Sequence, residues 1–170
     1  METHTPIDEH PGGPVLAHHG KNVLLSTDAT DMASFCLRVT LGLVMFPHGM
    51  QKLFGWFGGA GLQNTIGYYI TNYGVLPMIT LLVIVAEAAG SIALIIGFWS
   101  RLVAAGIGLI MIGAIFSVHF QHGFFMNWTG QQAGEGFEFH LLVIGMCIAL
   151  IIRGSGKWSV DSYLDHRLNP

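Results

Sequence analysis

Charge is what this chain has least of. Only 10% of its 170 residues are Asp, Glu, Lys or Arg, with seven basic against ten acidic residues, while 52% are hydrophobic. An average soluble domain carries about 25% charge. So few ions cannot cover a fold of this size with polar groups, and lipid must cover much of the surface instead. The mean hydropathy of +0.56 agrees. A net charge of −3 and the lack of any dense Lys/Arg cluster disfavour nucleic acid as a partner. Cysteine is also scarce. Cys36 and Cys147 each sit inside an apolar run, form no CxxC, and read as buried membrane thiols. There is no HExxH, and no pair of ExxH motifs of the kind that builds a di-iron bundle. The length suits one domain.

What is present is a set of long apolar runs. The first thirty residues hold acids, prolines, glycines and four irregularly spaced histidines (His4, His10, His18, His19), without the basic start and apolar stretch of a secretory leader. Residues 1–31 therefore read as a polar tail. Met32–Met50 is the first candidate span, with Arg38 inside it and Pro47 near its end. A glycine- and aromatic-rich loop follows, then Leu62–Tyr73, too short and polar to cross. Leu76–Phe98, with Glu87 inside, is the second span, and Leu102–Phe120 the third. The fourth runs from Glu135 to Ile152, and residues 154–170 read as a second polar tail.

The runs are continuous rather than alternating, and each approaches the ~20 residues a helix needs to cross ~30 Å of hydrocarbon. The expected fold is all-α: a four-helix transmembrane bundle over residues 32–153, with a short amphipathic or re-entrant segment between helices 1 and 2. Small residues at four-residue spacing (Ala86/Gly90, Ala93/Gly97, Ala104/Gly108) permit close helix approach. Four spans place both tails on one side, with Lys21, Arg101, Arg153, Lys157 and Arg167, and leave Lys52 alone on the other. That bias points to cytoplasmic termini.

Ionisable residues within spans are costly and mark function. His48, Gln51 and Lys52 fall at the outer end of span one, His119 and His122 at that of span three, and Glu138 and His140 at the outer start of span four. At ~100° per residue, Arg38, Met45, His48 and Lys52 share one stripe. Glu138 and His140 point ~200° apart, so only one of them can face a small site. Glu138 needs a partner, for which Lys52, His48 or His119 are the candidates. Arg38 and Glu87 are the expected interhelical ion pair. His48, His119 and Glu138 also have the donor types of a two-histidine, one-carboxylate metal set, and the sequence leaves a metal undecided.

These residues resemble the DoxX/DoxD family of small membrane proteins over about Arg38–Asp161. The segment from His48-Gly-Met-Gln-Lys to Gly59 is the most specific. Glu87-Ala-Ala-Gly with Arg101-Leu-Val-Ala-Ala is similar to a second family segment. His119, Gly123-Phe-Phe and Gly136-Phe-Glu138-Phe resemble a third, and Gly154-Ser-Gly-Lys-Trp-Ser-Val-Asp161 a closing one. The resemblance implies a four-helix membrane subunit. Some members belong to a thiosulfate:quinone oxidoreductase and others to membrane redox complexes.

Together, cluster and resemblance give the leading expectation: a redox-linked, multi-pass subunit of the cell inner membrane, with quinone as the cofactor. His48, His119 and Glu138 are the catalytic candidates, and Gln51, Lys52 and Trp56 would bind the cofactor. The expected partners are the lipid membrane, a partner redox subunit and further copies of the chain. Two other readings stand beside it, a non-catalytic scaffold for a soluble enzyme and a solute-transporting bundle lined by Arg38 and Glu87.

Overall fold

The computed structural model describes residues 23–168, and the four histidines before them lie outside that range. Among the described residues the chain is all-helical, without a strand. Helix α1 is Met32–Phe54, α2 Gly61–Tyr73, α3 Pro77–Ile96, α4 Ser100–Ala114, α5 Glu138–Arg153 and α6 Val160–Leu168. Helix α4 runs on through a π-helical turn, Ile115–His119, into a last tight turn at Phe120–His122.

Among the described residues three helices have the length and apolarity to cross a bilayer: Met32–Phe54, Pro77–Ile96 and Ser100–His122. Helix α5, the expected fourth span, has 16 residues and reaches about 24 Å, short of the ~30 Å hydrocarbon core. It begins at Glu138 rather than Glu135, and residues 123–137 before it form an irregular loop. The segment between the first two spans is a 13-residue helix, α2.

Local chemistry sets these boundaries. The Asp31 carboxylate accepts from Ala33 N and Ser34 N and starts α1. Helix α1 runs through Pro47 and stops at Gly55, whose φ of 74° a glycine adopts without strain. Pro77 opens α3, where its missing N–H costs nothing.

Helix α1 lies directly against α3. A Cβ at Gly49 would stand 2.6 Å from Ala88 Cα, so the two backbones meet at a glycine. The core comprises Leu41, Met45, Leu94, Ala104, Ile107, Met111, Val143, Cys147 and Leu150, drawn from α1, α3, α4 and α5. Leu43, Leu82, Leu109, Phe116 and Leu142 point outward instead, as a lipid-facing shell requires. Cys36 departs from its reading as a buried thiol. It is exposed on that shell, and Cys147 alone of the two is in the core.

The segment after Arg153, read as a polar tail, folds back under the bundle. Asp161 is 1% exposed. Its carboxylate accepts from Trp99 N at 2.8 Å and Ser100 N at 3.0 Å, the start of α4, and from the Ser155 hydroxyl. Residues before α1 join in. Thr27 Oγ1 accepts from Gly156 N at 2.8 Å, and Arg153 Nε donates to Asp31 at 2.6 Å.

The Asp31 contact has a pH signature. Arg153, then the Ser34 hydroxyl and amide, hold its carboxyl at about 2, down from 3.8. A depressed acid stabilises the fold above its unfolded value and loses that contribution as pH falls through its folded value. Acidification from about pH 4 to pH 2 should therefore lower the melting temperature of the native chain more steeply than that of Asp31→Asn. Circular dichroism melts in detergent test this, and parallel curves would remove Asp31 from the account.

Candidate functional site

At the end of the bundle away from the tails, α1, α3, the π-helical turn and α5 bring ionisable groups together. Lys52 donates to Glu87, at 2.6 Å from Oε1 and closer still to Oε2. Glu87 is 2% exposed. Gly49 explains the pairing, because its contact with Ala88 sets Glu87 one helical turn from Lys52.

This corrects the expected Arg38–Glu87 pair. The helices are antiparallel, and Arg38 lies about 16 Å along α1 from Gly49. All five guanidinium N–H bonds go to carbonyls instead: Nε to Ser155, Nη1 to Leu94 and Ile95, Nη2 to Lys157 and Trp158. Arg38 belongs to the tail end of the molecule.

His119 and His140 meet with ring centroids 4.1 Å apart and planes tilted by 43°. His140 is 7% exposed, and its Nδ1 is buried without a hydrogen-bond partner. His119 Nδ1 lies 2.8 Å from the Glu135 carbonyl. That carbonyl can only accept, so Nδ1 carries the proton and Nε2 the lone pair. The π-helical turn ends on His119, and such turns, rare inside α-helices, recur at functional sites. His48 stands alongside, its ring 6.3 Å from that of Phe139.

Glu138 is placed differently from expectation. Its Oε1 accepts from the Trp128 indole N–H at 2.9 Å. Two of the partners proposed for it are engaged elsewhere, Lys52 with Glu87 and His119 with Glu135 and His140. The ~200° between Glu138 and His140 does separate them, but the inward member is His140. Among the described residues no group of three or more His, Cys, Asp or Glu is placed to hold a metal ion, so His48, His119 and Glu138 form no ligand set.

Gln51 and Lys52 line a cavity of about 340 Å³ with Gly59, Thr65, Tyr68 and Tyr69. The tyrosines come from α2 and carried no signal in the sequence reading. Trp56 is not in that lining. It is half exposed beside Phe54, with ring centroids 5.3 Å apart. His122 covers Gly134, where any Cβ would strike its ring.

The loop that carries Glu135 is pinned by its backbone. Phe137 N donates to Gly123 O at 3.2 Å and Glu138 N to Phe124 O at 2.9 Å. A Cβ at Gly136 would lie 2.4 Å from Phe125 O. Gly136 thus lets the two loop segments close on each other next to the Glu135 carbonyl that meets His119.

A small helical membrane protein with an ionisable cluster at one end of its bundle is the class these features define. The DoxX family model matches residues 33–120, from the start of α1 to the end of the π-helical turn, and the chain belongs to that family. A protein of Bacillus subtilis (strain 168) named "Putative oxidoreductase CatD" is 28% identical over 140 residues, covering 79% of this chain and 88% of that protein. No solved structure matches the chain.

Proposed function

We propose that this chain is the membrane subunit of a redox system and that its polar cluster binds a quinone. The observation that carries this reading is the grouping of His119 and His140 with the Lys52–Glu87 pair, in which His140 and Glu87 are buried and Lys52 also lines a cavity. Redox ligands of this class carry two oxygens on an apolar ring, and they need polar groups set in an apolar, lipid-accessible surround. The family and the oxidoreductase name of the Bacillus relative support the redox part.

In this reading α5 is the fourth crossing, completed at its outer end by the aromatic loop that holds Phe124, Phe125 and Trp128 at the interface. Both termini then share the side of Arg101, Arg153, Lys157 and Arg167, which is the cytoplasmic side of the inner membrane. The resemblance to thiosulfate:quinone oxidoreductase subunits supplies the donor class, a reduced sulfur compound delivered by a partner subunit. A multi-copy assembly would cover part of the apolar shell.

The test is binding of menadione, a small naphthoquinone, to the purified chain in nanodiscs, followed by tryptophan quenching. Saturable binding is expected, weakened at least tenfold in His48→Ala and His119→Ala variants that keep the native far-ultraviolet spectrum. A native chain that shows no saturable quenching would end the quinone reading.

A further inference from the structure

We infer that His119 and His140 form a one-proton pair, and that His140 Nδ1 is the atom that meets the ligand's oxygen. The ligand half rests on the quinone reading above. The proton half rests on the geometry of the two rings alone.

Two imidazolium ions at a ring separation of 4.1 Å would repel strongly in surroundings far less polar than water. The geometry therefore disfavours charge on both rings at once. His119 has a defined place for a single added proton. Its Nδ1–H is committed to the Glu135 carbonyl, which leaves Nε2 as the open base.

His140 contributes the other property. A buried polar atom without a partner is uncommon in a folded protein and calls for a ligand or a water. An imidazole Nδ1 can serve either redox state of a quinone. As N–H it donates to a quinone carbonyl, and as a lone pair it accepts from a quinol hydroxyl, with the ring proton then on Nε2.

The neighbours do not favour a second proton. From α1, His48 and Lys52 both bear electrostatically on His140. The Lys52 charge is matched by Glu87 of α3. On the same helix as His140, the Glu138 carboxylate is held by Trp128, and in the loop the Glu135 carboxylate accepts from Asn127 N at 2.6 Å. Each nearby acid is thus engaged with a group other than the pair.

The experiment is nitrogen NMR of the full chain, ¹⁵N-labelled in its histidine rings, in phosphatidylcholine nanodiscs. His119→Asn and His140→Gln assign the signals. Between about pH 8 and pH 5, where an ordinary histidine titrates, the two rings should take up one proton between them. Menadione should then shift the His140 Nδ1 resonance. Full charging of both rings by the end of that range would overturn the pair. Menadione that binds saturably without moving His140 would overturn the contact while leaving the quinone reading intact. Failure to bind at all would remove the reading and the contact together, and the proton count, measured without menadione, would still judge the pair.

Discussion

Replacing Arg38 by methionine is expected to cost about 4 kcal/mol or more, at ~1 kcal/mol or more for each of the four carbonyls besides Leu94, whose oxygen keeps the Gly97 amide. Few single changes in the chain should cost as much. Arg38 is 0% exposed, and its five N–H bonds close five separate contacts. Leu94 and Ile95 lie in the last turn of α3, where unpaired carbonyls concentrate partial negative charge. Ser155, Lys157 and Trp158 belong to the returning segment, so one guanidinium holds the end of α3 to the chain that follows α5. Asp161 completes the arrangement with the opposite sign, capping the start of α4 through Trp99 N and Ser100 N. The turn between α3 and α4 is thereby gripped by a cation on one side and an anion on the other. It also explains why Trp99 and Trp158 hold φ near 50°, a region that costs a non-glycine residue energy. The Trp158 carbonyl and the Trp99 amide are each bound by this clasp.

Arg38→Lys should recover only part of the loss, since an ammonium offers three donors from one point where five in a planar fork are used. Denaturant titration in detergent, read by far-ultraviolet circular dichroism, measures both variants. An Arg38→Lys chain as stable as the native one would show that the carbonyl cage contributes little.

The apolar runs and the absence of alternation made the helices legible, because lipid leaves the chain no other way to satisfy its backbone. That ionisable groups from separate helices gather toward one end of the bundle was legible too, from depth alone. Pairing was not. Which residue faces which across two antiparallel helices depends on register, and register here is set by the Gly49–Ala88 and Gly42–Ser91 contacts, which spacing along one helix cannot reveal. The same applies to His140. Helix angle correctly separated it from Glu138, but deciding which of the two turns inward needed the position of the π-helical turn on the neighbouring helix. The tail-end clasp was hidden for another reason. Its partners are mostly backbone carbonyls and amides, which every residue carries and no sequence pattern marks.

Lys52→Met should destabilise the chain by about 3–5 kcal/mol, the usual cost of leaving one member of a buried ion pair without its partner. Glu87 has no exit to water at 2% exposure, and among the described residues Lys52 is the cation that bridges it. The double variant Lys52→Met/Glu87→Leu should recover most of that loss, because a buried pair exchanged for apolar groups of similar size is often neutral. The two sites therefore differ from additivity by roughly the whole cost of the single change, and a double-mutant cycle reads that difference directly. A double variant no more stable than Lys52→Met would mean that the Glu87 carboxylate is satisfied by something other than Lys52. The same double variant separates stability from function. With the fold restored, the cavity beside Gln51 and Tyr69 keeps its walls but loses its charge. If Lys52 contributes to the proposed quinone site, the stable double variant should bind menadione at least tenfold more weakly. Unchanged binding would confine the ion pair to holding α1 against α3 and leave ligand contact to the histidines alone.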